Sequence, residues 1–474
     1  MAKPKLVQIP SHPIERFRDL VDDRFPQIEA VAEEARERFA GRAIWHVSST
    51  ARGGGVAEIL HSMLPYVRGV GVDTRWAVLR EEPAFFAVTK RLHNALHEDP
   101  GDGGPLGEEE RAVYETALRA SAAQLAELIQ GGDVVYLHDP QTAGLVPAMR
   151  ELGAKVVWRC HVGVDRPGEL AHRGWDFIRP YVRAADALVF SRGAYVWDGL
   201  DRGKVWLMPP SIDPFAPKNQ DLDADTVAAI LGAIGLGNEA PAQAPTFERG
   251  DCTPGRVERR GELHQEGPVP AAAKLVAQVS RWDRLKDPRG LLACFAEHLG
   301  DPDVHLALVG PASAAVADDP EGAVVYGDVS ESRRRLPDDV RRRVHLVSLP
   351  MYDLDENAAM VNAIQRRADA IVQKSIAEGF GLTVAEAMWK AKPVIASRVG
   401  GIQDQIVDGV SGILVDDPTD LPAFGRAIAG VLDDPDRAER LGRGARERVR
   451  DRFLAVGRLT EYVELVGSLV DDEA

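Results

Sequence analysis

Two glutamates eight positions apart, Glu378 and Glu386, bracket the stretch EGFGLTVAE, in which a Gly-Phe-Gly turn leads into an apolar run. A carboxylate directly before such a turn suits accepting hydrogen bonds from polyol hydroxyls. The glycines let backbone N–H groups turn toward a ligand, and the helix start expected near Thr383 favours an anion such as phosphate. Glu386 has two readings. Thr383-x-x-Glu386 fits a capping box, in which the glutamate only satisfies the first helical N–H, and it equally fits a ligand-facing carboxylate. Glu378 fits no cap.

Upstream, VSRWDRLKDP (279–288) places Arg281 and Lys286 five positions apart, where a strand runs out and before Pro288, a residue suited to the first helical position. A guanidinium fork and an ammonium point charge can together face a diphosphate. Surface cations at this spacing are also common, so position in the fold must decide. A glycine loop, TARGGGVAE (50–58), opens a helix with Gly53, Gly54 and Gly55. It allows close backbone approach to an anion, or it is a plain tight βα connection. A dinucleotide fingerprint needs Gly or Ala where Glu58 stands, which disfavours a nicotinamide dehydrogenase.

The elements that must hold these residues form two series. AIWHVSS (43–49), TRWAVL (74–79), DVVYLHD (133–139), KVVWRCHV (155–162), ALVFSR (187–192) and KVWLMPP (204–210) are short, apolar and rich in branched or aromatic residues, as buried parallel strands should be. Amphipathic segments such as 56–67 and 111–129 alternate with them. After the proline-rich stretch 209–220, a second set follows: 274–282, 305–310, 344–350, 370–375, 393–398 and 412–415. The fold class is therefore α/β, with two doubly wound Rossmann-like domains facing a central cleft. The expected division is 1–212, then 213–453, with a helix at 454–474 packing back on the first domain. The Gly/Pro/charge-rich segment 237–270 is expected as a solvated surface excursion.

Composition bounds the partners. At 474 residues, 45% hydrophobic and 27% charged, the chain is globular and long enough for two cores. A net charge of −16 argues against nucleic acid and against an anionic membrane surface. Cys160, Cys252 and Cys294 lack metal-type spacing, and MAKPKLVQIPSHPIERF lacks a secretory h-region, so a reduced, cytoplasmic protein is expected.

The E-x7-E pair, the S-R-x4-K stretch and the glycine loop together resemble the retaining GT-B glycosyltransferases of family 4. The blocks HVSSTARGGGVAEIL, FFAVTKRLHNALH, LHDPQTAGL, WRCH, VSRWDRLKDP and VQKSIAEGFGLTVAEAMWKAKPVIASRVGGIQDQIVDG are similar to a narrower group, the trehalose glycosyltransferring synthases, from about 44 to 415. The resemblance implies transfer of glucose from ADP- or UDP-glucose to glucose, forming α,α-trehalose reversibly. It implies no obligatory cofactor and no metal site, with Mg2+ as no more than a stimulant, small-molecule donor and acceptor as partners, and a homodimer as one assembly. Arg281 and Lys286 would hold the diphosphate. Glu378 would bind hydroxyls of the transferred sugar, and the amides of Phe380, Gly381, Leu382 and Thr383 would line sugar and phosphate. Glu386 would hold the ribose, and Gly53 to Gly55 would approach the diphosphate. His161, in WRCH, matches a histidine that contacts the donor sugar near its 6-hydroxyl; a core histidine bonded to backbone is the other reading. Asp139, Gln141 and Arg159 are candidates for the acceptor pocket. Domain closure would exclude water. A different acceptor (a sugar phosphate or polyol) and a sugar-nucleotide binder without turnover are the alternatives.

Overall fold

Every residue of Ile44–Ser48 and Val134–His138 is buried, as expected of strands covered on both faces by crossover helices. The computed structural model describes residues 3–52, 54–237, 243–312 and 320–471, so Gly53 lies outside the described residues. The chain divides into two units, Met1–Ile212 with Phe453–Ala474, and Asp213–Arg452.

The first unit is built on β1 (Lys5–Val7), β2 (Ile44–Ser48), β3 (Thr74–Val78), β4 (Val134–His138), β5 (Lys155–Cys160), β6 (Ala187–Phe190) and β7 (Val205–Leu207). Their order is β1-β3-β2-β4-β5-β6-β7. The edge strand β1 is antiparallel to β3, with Lys5 opposite Val78, and the remaining pairs are parallel. The order reverses between β2 and β4. Carboxyl ends flanking such a switch point are where doubly wound sheets bind ligands. Trp45, Trp158, Tyr114 and Phe85 fill the core on one face. The C-terminal helix Gly457–Val470 completes this unit by burying Leu459, Tyr462, Val463, Leu465 and Val466. Its arrival is fixed by backbone bonds from Ile212 N to Phe453 O and from Ala455 N to Ile212 O.

The second unit holds a ribbon of β8 (Thr246–Glu248) and β9 (Pro254–Arg256), and a sheet of β10 (Glu262–His264), β11 (Lys274–Val279), β12 (Val304–Pro311), β13 (Val344–Leu349), β14 (Ala370–Gln373), β15 (Val394–Ser397) and β16 (Ile413–Val415). The sheet order is β10-β13-β12-β11-β14-β15-β16, with only β10 antiparallel. Its switch point lies between β11 and β14. Phe295, Phe424, Leu306 and Ile428 are fully buried in the core beneath.

The polar segment 237–270 departs from its expected character as a solvated excursion. Its described residues are stitched to the unit. The buried Glu356 carboxylate accepts from the backbone N–H groups of Glu258 and Arg259, both at 2.7 Å, and pairs with the Arg259 guanidinium. Arg249 pairs with Asp353, and Leu263 lies opposite Val347 across β10 and β13. Composition hid this because the partners lie about a hundred residues downstream.

Candidate active site

In the second unit, the turn after β11 and the loop after β14 meet at the switch point. Gln278, buried near the end of β11, binds both: its Nε2 donates to Lys286 O at 3.0 Å and its Oε1 accepts from Lys374 N at 3.1 Å. Ile376 N donates to Leu285 O at 2.7 Å, closing the two loops on each other. Asp283 shapes the first by accepting from Leu285 N, and Asp287, at a left-handed φ of 45°, caps helix Pro288–His298 through Gly290 N. Asp287 also pairs with the buried Lys374.

This scaffold brings Lys286 Nζ to 2.5 Å from Glu378 Oε2, and Ser375 Oγ donates to the same oxygen at 3.2 Å. Both charged side chains are largely shielded, with 15% and 10% exposure. Arg281 takes another partner, Asp283 Oδ2 at 3.0 Å, from a half-exposed position. The Gly-Phe-Gly turn is held from outside. Gln405 Nε2 donates to Phe380 O at 2.5 Å, and Gly401 N to Gly379 O at 3.1 Å. Gly381, at φ 88°, is the N-cap of helix Leu382–Trp389, which places Leu382 and Thr383 in its first turn.

That start corrects one reading of Glu386. Thr383 is already inside the helix and no side chain caps it, so there is no capping box. Glycine at the left-handed position took the cap two residues earlier. Glu386 is buried instead, with Lys218 Nζ 3.5 Å from its Oε1. Lys390 lies alongside, donating to Glu386 O and to Asn219 Oδ1, both at 3.1 Å. Burial drives the Lys390 ammonium well below its usual range, a shift that Glu386 opposes.

In the first unit, Asp139, His161 and Arg159 converge at the ends of β4 and β5. Asp139 sits at a left-handed φ of 62° at the start of the short helix Asp139–Thr142, and its Oδ1 accepts from His161 N at 2.7 Å. Burial pushes its carboxyl up to about 7, against the opposing pull of the His161 N–H and the Arg159 charge. Arg159 is buried, donating to Met208 O at 3.3 Å, and desolvation brings it down to about 10. Gln141 is half-buried on the same short helix.

His161 is the end of a chain of imidazoles that sequence reasoning did not find. Its Nε2 lies 3.2 Å from His138 Nδ1, and His138 Nε2 lies 3.1 Å from His46 Nδ1. His46 Nε2 then meets the Tyr462 hydroxyl at 3.2 Å. The rings are stacked, His138 on His161 at 5.5 Å between centroids. The signal was present: His46 and His138 are buried polar residues in mostly apolar strands, IWHVS and VVYLH. Gln278 left the same trace in β11. Gly54 and Gly55 are exposed at the start of helix Gly55–Gly69, with Gly54 at φ 85°. Among the described residues there is no group of three or more His, Cys, Asp or Glu able to hold a metal, and no helix long and apolar enough to cross a membrane.

Two mainly parallel-sheet units of this kind are the architecture of GT-B glycosyltransferases, the class to which the structural neighbours belong. An α,α-trehalose-phosphate synthase (UDP-forming) from Burkholderia vietnamiensis superposes on the chain with a TM-score of 0.65 at 17% identity, over 90% of this chain and 98% of that one. Residues 46–197 match the model of the trehalose synthase N-terminal domain, and residues 259–448 that of glycosyl transferases group 1. The chain is 35% identical to a trehalose synthase of Rubrobacter xylanophilus over 447 residues, which is 92% of this chain and 93% of that one. It is also 35% identical to a trehalose synthase of Pyrococcus horikoshii over 96% of each. The chain belongs to the trehalose synthase family of glycosyltransferases. Membership makes it an enzyme and sets aside the reading as a binder without turnover.

Proposed function

We propose that the protein transfers glucose, with retention and reversibly, from ADP- or UDP-glucose to glucose, forming α,α-trehalose. The observation that carries this reading is the contact between Lys286 and Glu378 at the switch point of the second unit. It pairs a cation for phosphate with a carboxylate for sugar hydroxyls, and an ammonium group has three protons to share between a carboxylate and a phosphate oxygen. The names of the relatives support the sugar product, and the UDP-forming structural neighbour supports a nucleotide-sugar donor.

In the reaction, the bond from the glucosyl C1 to the diphosphate breaks and a bond from C1 to an acceptor hydroxyl oxygen forms on the same face. The acceptor proton passes to the leaving phosphate oxygen. The largest barrier term is charge developing on that oxygen, which preorganised cations stabilise most where water is excluded. Lys286 takes that role, with Arg281 joining once it releases Asp283. Glu378 orients the transferred sugar, while Phe380, Gly381, Leu382 and Thr383 offer backbone amides, and Glu386 receives the ribose hydroxyls. Gly53, Gly54 and Gly55 approach the diphosphate, and His161 contacts the transferred sugar. Asp139, Gln141 and Arg159 shape the acceptor pocket. No metal is required.

The test is direct. Purified protein is incubated with glucose and each of ADP-glucose and UDP-glucose, and the products are read by carbon NMR. A single anomeric carbon signal from a symmetric non-reducing disaccharide is expected. Absence of that disaccharide with every nucleotide-glucose overturns the reading, and product from a sugar phosphate or polyol instead transfers it to a different acceptor.

A further inference from the structure

We infer that Ser375 and Gln373 are positioning residues for the transferred sugar: they tie Oε2 of Glu378 to the sheet and make Oε1 the oxygen that receives sugar hydroxyls. The inference deepens the proposed function and rests on its assignment of Glu378 to the sugar.

Glu378 precedes the Gly-Phe-Gly turn, and glycine-rich backbone does not by itself fix a long side chain. Three hydrogen bonds link it to firmer ground. Ser375 Oγ lies 3.2 Å from Glu378 Oε2, Gln373 Nε2 lies 3.1 Å from Ser375 Oγ, and Thr383 Oγ1 lies 3.4 Å from Gln373 Oε1. At 1% and 0% exposure, Gln373 and Ser375 are out of reach of competing water. Gln373 closes β14, opposite Ala396 of β15, and Thr383 stands in the first turn of helix Leu382–Trp389.

The direction of this relay is set at its carboxylate end. A carboxylate facing the Lys286 ammonium at 2.5 Å accepts hydrogen bonds and has no proton to give. The proton between Ser375 and Glu378 is therefore the serine's. With its single proton spent there, the Ser375 hydroxyl can only accept from Gln373, which turns the amide nitrogen to the serine and the amide oxygen to Thr383. Thr383 supplies the third proton, so each bond holds one proton and one lone pair. The reversed order does not close. Turning the Gln373 amide over would draw the serine proton to Gln373 and set a serine lone pair against the carboxylate with no proton between them.

Oε2 of Glu378 thus receives two donors, Ser375 beside the sheet and Lys286 from the turn after β11. A carboxylate oxygen has two lone pairs. Both are committed on Oε2, which directs a sugar hydroxyl to Oε1. A binding group locked in this way by buried partners gives up less freedom when substrate arrives.

The readout is a ratio of dissociation constants, nucleoside diphosphate alone over nucleotide-glucose. It is measured by titration calorimetry on the full-length protein with ADP against ADP-glucose and UDP against UDP-glucose. Only the second ligand of each pair carries the sugar, so a general loosening of this corner weakens both and leaves the ratio unchanged. Ser375→Ala should lower the ratio on the order of tenfold, with the affinity for the diphosphate alone held within about twofold. Gln373→Met keeps the serine hydroxyl but removes its guide, and should lower the ratio about threefold. Ser375→Ala/Glu378→Gln should match Glu378→Gln alone, whereas independent, multiplying losses would overturn action through Glu378. If Glu378→Gln lowers the ratio and Ser375→Ala does not, the inference is overturned and Glu378 stays at the sugar. If Glu378→Gln leaves the ratio unchanged, Glu378 is not at the sugar and the inference falls with that assignment.

Discussion

Lys286 and Glu378 are 92 positions apart in the chain, yet their side chains meet at 2.5 Å. Neither loop could hold that geometry alone. Gln278 bonds to both, the Ile376–Leu285 backbone bond closes them, and Asp287 ties the helix start after Lys286 to Lys374 at the end of β14. The pair thus belongs to a crosslinked corner of the sheet.

Removing either member of this pair leaves a shielded charge without its partner. Lys286→Ala and Glu378→Ala should each lower kcat/KM by about 2–5 kcal/mol of transition-state free energy, enough to make transfer hard to detect. Steady-state rates with thermal melts as a folding control check this. Rates within threefold of the unmodified enzyme would show that the pair is scaffolding.

Glu386 presents a different balance. Its carboxylate shares a buried pocket with Lys218 and Lys390, so Glu386→Ala should destabilise the fold by about 3–5 kcal/mol. Urea unfolding measures this. Glu386→Gln, which keeps the shape, should retain more stability while weakening nucleotide binding.

Acid should unfold the protein through its buried imidazoles. His46 and His345 are each held down to about 3, and His138 and His161 are lowered by burial too, against an ordinary 6.5. Between the two values the unfolded chain binds more protons, so each group's contribution is complete above about 6.5 and is lost as pH falls toward the folded value. Each changes stability by at most about 1.4 kcal/mol per pH unit. Asp139 opposes them: raised to about 7, it favours the folded state more as pH falls from there toward the ordinary carboxyl value. Burial also raises the Glu81 and Asp355 carboxyls and lowers His305, so three carboxyls stand against five imidazoles and the histidines remain ahead. The urea midpoint should drop between pH 7 and pH 5, and Asp139→Asn should steepen that drop.

Gly401 is a packing constraint on the Gly-Phe-Gly turn. A Cβ there would lie 2.6 Å from Phe380 Cα and 2.9 Å from Gly379 O, both backbone atoms that cannot move without the turn. Gly401→Ala should therefore cost about 1–3 kcal/mol in stability and slow transfer by more than the melting change explains. Equal effects on both would show that the turn does not serve the reaction.

Strands with a continuous run of branched or aromatic residues were legible from sequence. VVYLH and VHLVSL announce themselves because both faces are buried. The strands β1, β8, β9 and β10 were not, since KLV, TFE, PGR and ELH are three residues long and owe their conformation to partners elsewhere in the chain. Site residues showed the same division. Lys286 and Glu378 stood out by residue type and position at strand ends. The meeting of Tyr462 with His46, 416 positions apart, is a product of tertiary packing that no local pattern carries. Thr383-x-x-Glu386 left two readings open because a local motif competed with Gly381, whose backbone freedom moved the helix start.

The first unit is discontinuous along the chain: it is left at Ile212 and finished only from Phe453 onward. A ribosome making this protein therefore emits the whole second unit before it supplies the helix carrying Tyr462. A chain released before that helix is made would leave the first unit without the residues that cover His46, so this unit can complete its packing only late in synthesis.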